Sequence, residues 1–557
     1  MSGAHRGQER GGRGHGGDGR GGNGERGRAG HGARGRGDRG GRPGAGDARR
    51  RDDDRRPARP RRPDPARHAA LDVLREVAEQ DAYANLILGD VLAHHRLTGR
   101  DAAFATELAY GALRLQGRHD AVIDRCLTGR TAADLDADVL DVLRLGVHQL
   151  LAMRVPDHAA VSATVDLAAA TVGQGPAKFV NAVLRAVARR DESQWLAELT
   201  AGLPAGAGGD DERLAIEFAH PAWVVRAYRE ALAADGRPAA DLPALLAANN
   251  APPRVTLVAR PGLVGRARLA EQVEGATGRV PEPGVLSPYA LTLPGGPPSD
   301  VTAVRSGKAA VQDEGSQAVA LALAAAELAD ADRGAWADLC AGPGGKAALL
   351  GALAARTGAR VFANESAPHR ADLVRRSVRA LPDGAVEVHT GDGRTSGVEH
   401  AGEFDRVLVD VPCTGLGALR RRPESRWRRT EADLADLVVL QRDLLAAAVT
   451  AVRPGGVVAY ATCSPHVAET RDIVAAVLAD PPGGVVLEVL DARAAAAANI
   501  GAYIGAGADG ADDDAHDGPS GGVDPTAIDL GGGPYLQLWP HVHGTDAMFL
   551  ALLRRRS

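Results

Sequence analysis

Aromatic residues are scarce, at 3% of the 557-residue chain. Its cores must therefore rest on Ala, Val and Leu, and a hydrophobic content of 44% supplies them. Lysine is scarcer still. Three of the 66 basic residues are Lys, at 178, 308 and 346, so a lysine inside a glycine-rich turn stands out. Four cysteines are too few for a disulfide framework and fit a cytosolic, reducing location. No apolar run approaches the roughly 18 residues a membrane span needs, so no membrane contact is expected. The Gly/Arg-rich N-terminus lacks the apolar stretch of a secretory signal. There is no internal repeat, and no residue pattern calls for a metal.

Charge is unevenly placed. The formal net charge is −5, but residues 1–66 hold 18 Arg against nine Asp and Glu, leaving −14 for the remainder. A folded part that acidic would meet RNA through local patches rather than through its overall field. Residues 1–66 are low-complexity Gly/Arg/Asp sequence with little to bury, so disorder is expected there. Such a tail is either an electrostatic RNA tether or a solvated segment with no specific role.

Residues 67–195 change character. ALDVLREVAEQ, AAFATELAYGALRL, VLDVLRLGVHQLLAM and AAVSATVDLAAA place apolar residues at helical spacing, predicting an all-helical bundle. Residues 196–216 read as a linker and 217–310 as a small α+β subdomain. From 311 onward strands and helices alternate, the signature of an open α/β sheet. Within it, Gly/Asp-rich residues 504–533 predict a disordered loop. YLQLWP and AMFLALLRR predict a closing antiparallel edge.

WADLCAGPGGKAALLGALAAR opens the α/β unit as strand, glycine turn and helix. Glycines let the backbone turn sharply, and the helix start offers free N–H groups that suit a carboxylate such as that of a methionine moiety. The turn is neither GxGxxG nor a phosphate loop. ARVFANE ends its strand on Glu365, placed for ribose hydroxyls, and VEVHTGDGR leads to Asp392, placed for an adenine. Each acid alone could be a helix cap. Successive strand ends on one edge are harder to dismiss, because open α/β sheets bind ligands there.

Two further strands end on cysteines. FDRVLVDVPCTG places Asp410, Pro412 and Cys413 at a strand end, and GGVVAYATCSPH does the same for Thr462, Cys463 and Ser464. If the first, fourth and fifth strands lie side by side, both thiols face one pocket beside the glycine turn. Cys126 and Cys340 read as inert thiols. A cysteine suits methylation of cytosine carbon 5, which is a poor nucleophile until a thiolate adds to carbon 6. The thiol must ionise near neutral pH, so cationic or dipolar neighbours are required. Asp410 is the candidate to hydrogen-bond the N3 edge of the base. A second cysteine could assist release, and the residues alone do not say which thiol attacks. Residues 418–429, ALRRRPESRWRR, interleave Arg with Trp427 beside Cys413, a pattern suited to phosphate contact with base stacking.

DLCAGPGGK, GDGR, DVPCTG and YATCSP, in this order, resemble the NOL1/NOP2/Sun family of RNA 5-methylcytosine methyltransferases over about residues 217–557. ELAYGALR, LRLGVHQLL, VPDHAAVSATVDLA and KFVNAVLRAV look like a NusB-type RNA-binding domain. A NusB-type domain ahead of this catalytic unit resembles the subgroup acting on cytosine 967 of 16S ribosomal RNA. The resemblance implies a NusB-like helical domain, a small RRM-like α+β subdomain and a Rossmann-like class I methyltransferase domain at 311–557. It implies S-adenosylmethionine as cofactor and 16S ribosomal RNA, met before full subunit assembly, as partner. No protein partner is implied. By position it makes Cys463 the nucleophile and Cys413 the release-assisting thiol. Cys340, Ala341, Gly342, Pro343, Gly344, Gly345, Lys346, Glu365, Asp392 and Asp410 would line the cofactor pocket, and Lys346 would also reach the base. Glu365 stands where the family has Asp, Thr470 where it has Asn, and Ala547 where it has Gly. Two other readings stay open: a transfer-RNA cytosine-5 methyltransferase, and a non-catalytic RNA-binding assembly factor. The latter predicts a damaged glycine loop or a lost thiol, and neither occurs.

Overall fold

A computed structural model of the chain describes residues 63–79, 83–505 and 528–557. The tail read as disordered lies, up to residue 62, outside the described residues. So do residues 506–527 of the Gly/Asp-rich loop.

The first helix starts at Pro65, where the missing N–H costs nothing. Helices Pro65–Glu79, Gly99–Arg114, Ala137–Leu151, Asp157–Thr171 and Gln174–Val187 bury their apolar faces in one bundle around Leu71, Leu108, Leu143, Val147 and Leu184. Asp136 caps the third of these by accepting from the Asp138 and Val139 amides.

The stretch 196–216 is not the expected linker. Helices Glu192–Thr200 and Ala207–Glu217 cover most of it. Trp195 and Leu199, four apart and so on one helix face, bury against the bundle, and the Trp195 indole donates to Val187 O at 3.0 Å. A composition rich in Gly, Ala and Asp hid that short apolar stripe.

Helices Ala222–Ala234 and Leu242–Asn250 pack instead on Leu416, Leu419 and Trp539 of the catalytic region. Strands β1 (Val255–Ala259), β2 (Glu282–Pro283), β3 (Ala290–Leu293) and β4 (Ala309–Val311) then form an antiparallel sheet in the order β2-β3-β1-β4. Helix Arg266–Thr277 joins β1 to β2, and Thr302–Arg305 joins β3 to β4. This is the βαββαβ order of an RRM-like unit.

The large sheet contains β5 (Ala335–Asp338), β6 (Arg360–Glu365), β7 (Val386–Thr390), β8 (Phe404–Asp410), β9 (Val452–Thr462), β10 (Leu487–Leu490), β11 (Leu536–Gln537) and β12 (Phe549–Arg555). The order is β10-β12-β9-β8-β5-β6-β7, with β11 paired to β12. β5 to β9 run parallel and put their carboxyl ends on one edge. β8 and β9 are buried on both faces because helices cover both sides. β12 is antiparallel to β9, yet it is interior rather than an edge, since β10 lies outside it. Leu550 and Leu552 feed one core layer, and Phe549, Ala551 and Leu553 the other. Among the described residues no helix is long and apolar enough to cross a membrane.

Candidate active site at the carboxyl edge of the sheet

The turn after β5 is fastened by its neighbours' backbone. The Ala341 amide donates to Asn364 O at 2.8 Å, the Gly342 amide to Glu365 Oε2 at 3.0 Å, and Arg370 to Gly342 O at 2.9 Å. A Cβ at Gly342 would lie 2.1 Å from Glu365 Oε2, so only glycine allows this approach. Glu365 is almost wholly buried, and its other oxygen accepts from the Ala367 amide at 3.0 Å. Asp392 is half-exposed, caps the turn Gly393–Thr395 and pairs with Arg394.

At the end of β5, Asp338 accepts from the Cys340 amide at 3.2 Å through Oδ1, while its buried Oδ2 has no partner. Burial, then the neighbouring Asp410 carboxylate, pushes this acid up to about 7. Burial, then Asp338, Asp410 and Glu365, holds the Cys340 thiol well above its ordinary value, so it stays protonated. The Cys126 thiol, in the bundle, is also raised by burial.

β8 and β9 are adjacent, with Asp410 opposite Ala461, so the loops that follow them meet. Cys413 Sγ and Cys463 Sγ lie 3.4 Å apart, both as free thiols. Lys346, from the helix after the glycine turn, reaches across to Asp410 Oδ2 at 2.7 Å. Burial opposes charge on Lys346, but Asp410 and then Cys463 outweigh it and raise its pKa. The hydrogen bond from Cys413 lowers the Cys463 pKa. Burial and Asp410 oppose that shift, and Arg422 and Lys346 add to it. Cys413 moves the other way, through its bond to Cys463, burial and the Glu469 carboxylate. The hydrogen bond between the two thiols thus favours the thiolate on Cys463 and the protonated thiol on Cys413.

The loop after β8 is held from several directions. Its Gly417 amide donates to Cys463 O at 2.8 Å and its Gly417 carbonyl accepts from the Ala547 amide at 2.9 Å. A Cβ on Gly417 would meet Ala547 O at 2.1 Å. Arg421 pairs with buried Asp546, and Arg420 donates to Gly544 O at 2.9 Å.

Further along, the expectation that Trp427 stacks on bases fails. Its indole donates to Leu113 O of the bundle at 2.8 Å, and its ring occupies the space above Gly117. Arg426 is completely buried and donates to Arg114 O, Ala219 O, Asn249 O and Asn250 Oδ1 at 2.8–3.2 Å. Arg114 O and Asn249 O lie in the last turns of their helices, where a cation satisfies orphan carbonyls and the dipole. Residues 420–428 are a strap between the two halves of the protein.

Residues 325–554 match the family described as 16S rRNA methyltransferase RsmB/F, and residues 64–189 match the NusB family. The chain is 48% identical to a Mycobacterium tuberculosis protein named as a putative methyltransferase, over 89% of this chain and 98% of that one. It is 32% identical to ribosomal RNA small subunit methyltransferase B of Sodalis glossinidius, over 72% of this chain and 86% of that one. The chain belongs to the RsmB/F methyltransferase family. The solved structure of PH0851 shares the fold, with a TM-score of 0.67 at 20% identity over 88% of this chain and 98% of that one.

In this RsmB/F chain the site includes residues that sequence reasoning missed. Fully buried Glu469 accepts from the Thr414 amide at 2.8 Å, the Thr414 hydroxyl at 2.5 Å and Gln441 Nε2 at 3.0 Å, clamping the loop that carries Cys413. Gln441 also donates to Pro412 O at 2.8 Å, and the Thr414 and Ser464 hydroxyls lie 3.1 Å apart. An acid five residues beyond the TCS motif carries no spacing signal of its own. The departures from the RsmB/F pattern are absorbed locally. The Thr470 hydroxyl donates to His466 O at 2.9 Å, and Ala547 meets Gly417 only through backbone.

Proposed function

We propose that this chain is an S-adenosylmethionine-dependent ribosomal RNA methyltransferase acting on carbon 5 of a cytosine, of the 16S cytosine-967 type, in the cytoplasm. The observation that carries this reading is the pair of free thiols 3.4 Å apart with Lys346 and Asp410 beside them. Methyl transfer to an atom already nucleophilic needs no thiol, whereas carbon 5 does.

The residues fit the cofactor. The unpartnered, buried Oδ2 of Asp338 suits an ammonium group, and the turn Cys340–Lys346 leaves backbone for a methionine moiety. Glu365 and Asp392 stand at the next two strand ends for ribose and adenine. When bound, S-adenosylmethionine supplies the methyl group.

The chain's own residues do the remaining work. The Cys463 thiolate bonds to carbon 6, and the carbon 5–carbon 6 π pair becomes available at carbon 5. Asp410, held by Lys346, accepts from the 4-amino group on the N3 edge, and the Lys346 ammonium balances the negative charge that the adduct places at N3. After methylation water accepts the carbon 5 proton, the freed C–H pair restores the carbon 5–carbon 6 double bond, and the carbon 6–sulfur pair leaves with sulfur as the Cys463 thiolate. Cys413 assists that release from its place against Cys463. Glu469 keeps Cys413 there through Thr414.

The test is bisulfite sequencing of ribosomal RNA from a deletion strain, with one 16S 5-methylcytosine expected to disappear. An unchanged pattern would sink the ribosomal reading. With substrate RNA in vitro, Cys413→Ala should accumulate a covalent protein–RNA adduct and Cys463→Ala none. The converse reverses the two roles.

A further inference from the structure

The strap's arginines are mostly consumed by the protein itself. Arg420, Arg421 and Arg426 have protein acceptors, and Arg428 reaches Val77 O. Arg422 differs. Among the described residues its guanidinium makes no hydrogen bond and no ion pair, and its buried Nε has no partner. Glu424, the carboxylate two residues on, is turned to the Ala84 amide at 3.2 Å. The Arg422 guanidinium instead sits over the ring of Tyr83, 4.3 Å from its centroid, on the helical half of the protein.

The loop from Cys413 to Arg422 has its middle pinned to Cys463 O through Gly417, and the Arg422 amide donates to Ala418 O at 2.9 Å. A cation with no ion-pair partner thus lies within electrostatic reach of the Cys463 thiol and of Glu424, on a seat built by another domain. Stacking on an aromatic face fixes a guanidinium's plane and leaves its N–H fork for a bidentate oxyanion. An RNA strand offers one such oxyanion per nucleotide, its phosphate.

We propose that Arg422, seated on Tyr83, takes the backbone phosphate at the target nucleotide and so places the cytosine over Cys463. The inference rests on the RNA methyltransferase reading and adds to it the residue that sets the base's position. Its charge also acts on the Cys463 thiol, so thiol tuning must be separated from phosphate binding.

The experiment uses the full chain and a fluorescein-labelled fragment of 16S ribosomal RNA that the unaltered protein methylates. Affinity is measured against salt, kcat and KM against RNA, and Cys463 alkylation by iodoacetamide without RNA. Arg422→Ala should weaken RNA binding about tenfold to a hundredfold. It should also reduce the slope of log affinity against log salt by about 0.7, the loss of one single-strand phosphate contact. Arg422→Lys should keep the slope and recover part of the affinity. Tyr83→Leu should raise KM with little change in kcat. An unchanged salt slope and KM in Arg422→Ala, with only slower alkylation, would overturn the phosphate assignment. So would failure of Arg422→Lys to restore the slope while its alkylation rate is normal. If the unaltered chain methylates no 16S fragment, the proposed function fails rather than this inference.

Discussion

Two loops face each other across the carboxyl edge of the sheet, and they are built by opposite means. The turn after β5 is tied to adjacent strand ends and the helix beyond them: Asn364, Glu365 and Arg370. The loop after β8 is tied to distant places: Cys463, Gly544 to Asp546, the bundle at Leu113 and Arg114, and the helix ending at Asn250. The proposed cofactor turn is thus preorganised by its own βαβ neighbours, whereas the loop that carries Cys413 depends on the assembled protein. Lys346–Asp410 is the link between them.

The largest effect should come from breaking the distant tie. Arg426→Ala removes a buried cation from four acceptors and should lower stability by about 3–5 kcal/mol, read by thermal or denaturant unfolding. A change below about 1 kcal/mol would mean that the strap is not a structural tie. Next, Lys346→Met cuts the link between the loops and should lower kcat by about 10²-fold. Because Lys346 helps hold the Cys463 pKa down, the rising limb of kcat/KM against pH should also move to higher pH. An unmoved limb would separate Lys346 from thiol ionisation.

The bundle side of the tie should be acid-sensitive. Burial holds His148 at about 3, and this ring lies against Gly111 in the helix whose end receives Arg426. The unfolded state binds the proton and the folded state does not. This stabilisation is therefore full above the unfolded value near 6.5, shrinks as pH falls below it, and is gone below the folded value of about 3. From pH 7 to pH 5 the loss should be about 2 kcal/mol, and His148→Gln should blunt it. The smallest effect should come from the local loop. Gly342→Ala should raise the KM for S-adenosylmethionine about tenfold, a cost of about 1.4 kcal/mol, with little change in melting temperature. A large fall in melting temperature would show that the β5 turn is not self-contained.

The same contrast explains what could be read from the sequence. Apolar runs ending on Asp410 and Thr462 marked parallel strands, and adjacent parallel strands must bring their following residues together. Cys413 and Cys463 were therefore legible as one pocket. The glycine turn was legible too, because its partners sit on the next strand. The strap was not. Alternating Arg and Trp says that a segment is cationic and flat-faced, but helix-end carbonyls and phosphates satisfy a guanidinium equally well. Glu469 was hidden because a buried acid is specified by what folds around it. β12 was expected at an edge by its place in the chain, yet Phe549 to Leu553 are apolar on both faces and required cover on both.

The strap also makes one stretch of the backbone dispensable. Arg426, Trp427 and Glu424 hold the helical bundle to the catalytic half through side chains, while residues 201–206, on the covalent path between them, are mostly exposed. A peptide bond cut in that stretch would yield two fragments that remain one particle, with Cys463 unmoved.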